Sequence, residues 1–183
     1  WIVGNVHSDR GEGSRAVQAM ENSIRMGERV GFAGAEVGVR NALAMTLGHY
    51  GLLDRALETA QKSVTIVEQR FATWKPWGYA VLARIFVRLG KIDQAEAIMK
   101  DVSEGLNETP LNQVMPLIAL HVGMAQAEIA LTRQSTVPPL VDALAEYLGR
   151  AQARGFVPEL LLAKSRFLVM QNKLDDATAK LME

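Results

Sequence analysis

Between positions 53 and 70 the small and apolar residues keep one spacing. Ala56, Ala60, Ser63, Val64 and Val67 stand at i, i+4, i+7, i+8 and i+11, while Asp54, Glu58, Gln61, Lys62 and Glu68 fall off that line. At 3.6 residues per turn such a spacing puts one face of a helix against neighbours and the other in water. No window alternates apolar and polar positions long enough to predict a strand. Read this way, the chain predicts ten helices, over 1–9, 14–31, 35–49, 53–70, 76–89, 93–106, 112–133, 138–154, 158–171 and 174–183. Pro76, Pro110, Pro138, Pro139 and Pro158 suit first turns, where a missing N–H costs nothing. Asp93 with Glu96 reads as a capping pair. Pro116 either starts the seventh helix or kinks it. The segments 103–109 and 132–137 read as inter-helix loops.

The helices come in repeating pairs. A small residue, then Gly or Asn seven positions on, then Ala five further, recurs as Gly4, Gly11, Ala16; Ala44, Gly51, Ala56; Ala83, Gly90, Ala95; and Ser165, Asn172, Ala177. The first three alanines are spaced by 40 and 39 residues, and 82 residues separate Ala95 from Ala177. A further, degenerate unit is therefore expected near Ala125 to Ala151. Each slot has a physical role. Gly or Asn between two helices is a left-handed cap that ends the first helix (A) and opens a tight turn. The small residue of helix A faces the Ala of the next helix (B), so that two backbones approach closely.

These slots resemble the tetratricopeptide repeat, whose unit has a small residue in helix A, Gly at the turn and Ala along the helix B seam. Two features depart from it: the period is about 40, and the Pro that closes the usual unit is missing after Ser23, Ser63 and Val102. The runs Leu89-Gly90-Lys91-Ile92-Asp93-Gln94-Ala95-Glu96 and Tyr50-Gly51-Leu52-Leu53-Asp54-Arg55-Ala56-Leu57-Glu58 are similar to the longer repeats of bacterial multidomain regulators. In those, such repeats follow an ATPase module in LuxR-type activators or accompany adenylate and guanylate cyclases. The resemblance implies an all-α fold, a right-handed superhelix of about four and a half hairpins. The units would be about 1–31, 35–70, 76–106, 112–154 and 158–183 of one repeat domain, and the chain would be a fragment of a longer protein.

Composition narrows the chemistry. With 183 residues the chain is long enough to remove roughly 70% of its unfolded surface from water. Its 20 basic and 20 acidic residues balance, against a nucleic-acid binder that works by neutralising phosphates. No Cys is present, which excludes disulfides and thiolate chemistry and fits a reducing, cytoplasmic compartment. The longest apolar stretch, Val114 to Ala125, is too short to span a bilayer.

No catalytic signature, cofactor or metal site is expected. Gly11-Glu12-Gly13-Ser14-Arg15-Ala16 matches the GxGxxA dinucleotide fingerprint, but helical sequence precedes it where a strand is required, and the repeat slots already explain Gly11 and Ala16. His7, His49 and His121 lack paired ligand spacing. Asn107-Glu108-Thr109 fits a glycosylation sequon by pattern alone. The eight Met are expected to fill core seams.

In a solenoid of this kind helices A line a concave binding face. Counting from the turns places Asn5, Ser8 and Asp9, then Asn41, Met45 and His49, then Trp77, Arg84 and Arg88, and finally Arg166 and Met170 on it. Trp77, Arg84 and Arg88 share one helical face and have the make-up of an interface anchor. The alternative is that Trp77 packs with Trp74 while the arginines are solvated. The face that would match the carboxylate clamp of tetratricopeptide co-chaperones offers Asn5 and Asn41 but no Lys in those helices. The expected function is a non-catalytic interaction and regulatory module that binds a protein segment or a neighbouring domain, with no nucleic acid or membrane partner. A small-effector sensor and a structural or dimerisation spacer are the alternatives.

Overall fold

The protein is all-α. A computed structural model describes residues 2–107, 113–150 and 157–182. Among them are ten α-helices and no strand: α1 (Ile2–Asp9), α2 (Gly13–Val30), α3 (Ala33–His49), α4 (Leu53–Arg70), α5 (Lys75–Arg88), α6 (Ile92–Asn107), α7 (Pro116–Thr132), α8 (Pro139–Arg150), α9 (Val157–Met170) and α10 (Leu174–Met182). A 3-10 turn, Ala72–Trp74, leads into α5. None of these helices is long and apolar enough to cross a membrane.

Pro116 opens α7 and does not kink it, because Met115 before it is extended (φ −57°, ψ 133°), as a residue preceding proline prefers. The loop expected from 103 is helical through Asn107, where the Ser103 hydroxyl donates to the Met99 carbonyl. Positions 108–112, with Pro110 and two residues of the sequon, lie outside the described residues, as do 151–156. The capping pair is corrected: α6 begins at Ile92, so Asp93 lies inside its first turn, and both Asp93 and Glu96 reach Arg133.

The turns follow one hydrogen-bonding rule. After α3, Gly51 is left-handed (φ 74°); its N–H donates to the Gly48 carbonyl at 3.3 Å, and the Leu52 N–H reaches back to Leu47 at 2.9 Å. This double bond pair satisfies the orphan carbonyls at a helix C-terminus. It recurs at Gly11–Glu12, Gly90–Lys91 and Asn172–Lys173, all at positive φ, as the repeat slots predict. The degenerate unit has it too, at Gln134–Ser135 (φ 52°). After the regular turns the next helix is engaged at once, by Ala16 N–H on Glu12, Ala56 on Leu52 and Ala177 on Lys173. After Gln134 the first such bond is Val141 to Pro138, because Pro138 and Pro139 have no N–H to give.

The described helices divide into two compact units, α1–α5 and α6–α10, at the turn after α5. In the first, consecutive helices pack side by side and α3 also packs on α5. The buried face of α4 is the predicted line Ala56, Ala60, Ser63, Val64 and Val67. In α2 it is Ala16, Met20, Ile24 and Gly27. Gly4 shows the close approach expected at the small slot: a Cβ there would lie 2.6 Å from Met20 Cγ and 3.4 Å from the Ala16 carbonyl oxygen. Met20 is wholly buried, which stabilises by about 1.5–3 kcal/mol. With α2, α4 and α5 around it, α3 has little left for a polar face, and twelve of its seventeen residues are buried. In the second unit α7 has the same position among α6, α8 and α9.

Candidate functional site

Five residues of α3, Gly34, Gly38, Asn41, Met45 and Gly48, follow one another at helical spacing and share a face. That face runs along α5. A Cβ at Gly34 would lie 3.5 Å from the Trp74 ring and one at Gly38 3.5 Å from Trp77. At Gly48 it would meet Ile85 at 2.9 Å and the Arg88 guanidinium at 3.0 Å. Residues about 40 apart thus sit opposite each other, and two helices A lie in register.

The seam between them is filled, which corrects part of the expected binding face. Asn41 (1% exposed), Arg84 (2%), Trp77 (5%) and Met45 (7%) are buried and present no surface to a partner. The physical reason is the glycine line: without side chains at 34, 38 and 48, α5 comes close and its bulky residues occupy the space. Trp77 packs edge-on to Trp74 at 6.1 Å between ring centroids. Of the two readings of Trp77, packing with Trp74 is the one observed, although Arg84 is buried and not solvated. Asp9, His49 and Arg166 are exposed, and Asn5 and Arg88 are half-buried. Arg88 sits against Gly48, beside His49, whereas Asn5 and Asp9 lie on α1 and Arg166 on α9 of the second unit. The Asn41 amide is a cost: neither its nitrogen nor its oxygen has a hydrogen-bond partner among the described residues.

The charged groups mostly tie turns to helices. The His7 Nδ1 lies 2.6 Å from a Glu12 carboxylate oxygen, which also accepts from Arg15 at 3.3 Å. The hydrogen bond to His7, then that from Arg15, hold the Glu12 carboxyl below the usual carboxylate range. Arg133 donates to Glu96 at 2.7 and 3.0 Å and also to Asp93. This lowers the Glu96 carboxyl and raises the guanidinium, by hydrogen bonding first in each case. Arg40 joins Glu28 and Glu36, each at 2.7 Å, and Arg55 joins Glu21 at 2.8 Å. Among the described residues no group of three His, Cys, Asp or Glu is disposed to hold a metal ion.

Sequence reasoning missed two grooves beside the turns. In the first unit a groove runs between α2 and the α3–α4 turn, lined by Val17, Gln18, Glu21, Tyr50, Leu52 and Arg55. Tyr50 leans so close to α2 that a Cβ at Gly13 would lie 2.8 Å from its ring. In the second unit the counterpart runs between α6 and α7, from Met99 and Lys100 to Arg133 and Leu140. Tyr50 and Arg133 each directly precede the left-handed turn residue, a signal present in the sequence once the turns are aligned. Compared with known proteins, the chain matches no family model and no curated protein sequence.

Proposed function

We propose that the chain is a non-catalytic interaction module of the tetratricopeptide type, built of repeated helical hairpins, within a larger regulatory protein. It binds a protein segment or a neighbouring domain. One observation carries this reading: the same left-handed turn with its two hydrogen bonds recurs five times at the repeat slots, at intervals of 40, 39, 44 and 38 residues, and a sixth at Gly31–Phe32 joins α2 to α3. Repetition of one supersecondary unit builds extended surfaces whose residues vary without cost to the packing. The accessible residues Asp9 and His49, with half-buried Asn5 and Arg88, remain the candidate binding residues of the first unit, and Arg166 that of the second. The resemblance to repeats of bacterial regulators supports a cytoplasmic signalling or transcription-regulating parent.

Photo-crosslinking in cells tests this reading, with the probe placed singly at His49 and at exposed Thr65 of α4. A discrete adduct from His49 is the expected result, and equal labelling from Thr65 rejects a defined face.

A further inference from the structure

One edge of the first unit carries its own chemistry. The ends of α2 and α4 and the starts of α3 and α5 lie there, and of the chain's five Phe and three Trp, two of each gather at it. Phe71 stacks on Trp74 with centroids 5.2 Å apart and rings 22° from parallel, and Trp74 meets Trp77 edge-on. Gly34 brings Phe32 into the group, its Cβ position lying 3.7 Å from the Phe32 ring and 3.5 Å from that of Trp74. Trp77 forms the buried floor, Phe71 and Trp74 are half-buried, and Phe32 stands 64% exposed. A rigid ring left in water above a stacked aromatic base is the composition of an interface anchor.

Charge gives the sign of the partner. The carboxylates of this edge have partners, Glu28 and Glu36 sharing Arg40 and Glu68 accepting from the Tyr79 hydroxyl, so that with Arg29, Arg70 and Lys75 the edge holds four cations to three anions. Arg29, Arg70 and Lys75 stand within three residues of Phe32, Phe71 and Trp74 in the chain, are exposed, and make no ion pair among the described residues. Arg29 and Arg70 also complement the dipoles of the helices they end, but Lys75 stands in the first turn of α5, where a cation is disfavoured. Helix chemistry therefore does not account for Lys75.

We infer that this edge takes an acidic protein segment that seats one aromatic or long aliphatic side chain against Phe32 and Trp74 and sets its carboxylates on Arg29, Arg70 and Lys75. Rings beside cations also suit a single-stranded nucleic acid, but a chain of zero net charge lacks the excess that phosphate binding draws on. The inference rests on the reading of the chain as an interaction module and adds the partner's chemistry and a second surface.

The test is a fluorescence-anisotropy titration of the whole chain with three labelled probes: a peptide alternating Asp or Glu with Phe or Leu, the same peptide with Lys for each acid, and oligothymidylate. The acidic peptide should bind, more weakly as salt rises. Reversing the three cations (Arg29→Glu, Arg70→Glu, Lys75→Glu) should weaken it about tenfold or more, since each exposed pair is worth roughly 1.4- to fivefold and each reversal adds repulsion. Phe32→Ser, at an exposed site, should also weaken it, with an unchanged circular dichroism spectrum. Absence of binding to the acidic peptide, equal affinity in the charge-reversed protein, or tighter binding of oligothymidylate overturns the inference. If the His49 crosslink forms while the acidic peptide fails, only this edge is wrong; if both fail, the module reading falls with it.

Discussion

Replacing Gly51 by Ala isolates the turn from everything around it. A Cβ at this position meets no atom within 4 Å, so no packing is gained or lost, and the whole effect is the left-handed backbone (φ 74°). For an L-residue that conformation costs about 1–2 kcal/mol. Ala also restricts the unfolded chain, which returns part of the loss. We expect a net destabilisation of about 1 kcal/mol, a fall in Tm of about 2–4 °C for a chain of this size. Asn172 holds the equivalent turn at φ 61°, so Gly51→Asn should cost less than half as much. Urea unfolding followed by far-ultraviolet circular dichroism, on the parent and both variants, measures the three values. If Ala is as stable as Gly, helix α3 does not end in a left-handed turn. If Asn is no better than Ala, the cost is not conformational and the repeat alignment loses its physical basis.

Two further substitutions probe the seam and the charged turn. Asn41→Leu replaces a buried amide that has no partner by an apolar side chain of similar size, and should raise stability by about 1 kcal/mol in thermal melts; a loss of that size would mean the amide is satisfied. Arg133→Gln should remove a small stabilisation, discounted because Arg133 and Glu96 are each 43% exposed. The folded Glu96 carboxyl lies below its ordinary value of 4.5, so this contribution is present above that value and is lost as pH falls through the lower folded one. The gap between parent and variant should thus be constant near neutral pH and close in acid; a gap that widens in acid contradicts the assignment.

The turns were legible because positive φ admits few residue types. Gly11, Gly51, Gly90 and Asn172 announce themselves, and the helix limits follow from them to within a few residues. The fourth turn was not legible, since Gln134 takes the same conformation without the favoured residue and Pro138–Pro139 delay the next helix. Helical spacing correctly put Asn41, Met45, Trp77 and Arg84 on shared faces, but spacing gives a direction and does not say what stands there. The missing information lay in Gly34, Gly38 and Gly48, on the same face as Asn41 and Met45. Glycines on a helix face signal a close neighbour, and a close neighbour fills the face with its own side chains. The large residues left in water are those that no glycine faces from a parallel helix, such as His49 at the end of α3 or Phe32 ahead of its first turn. In repeats of this kind the binding residues are better sought just past the ends of the glycine line than along it.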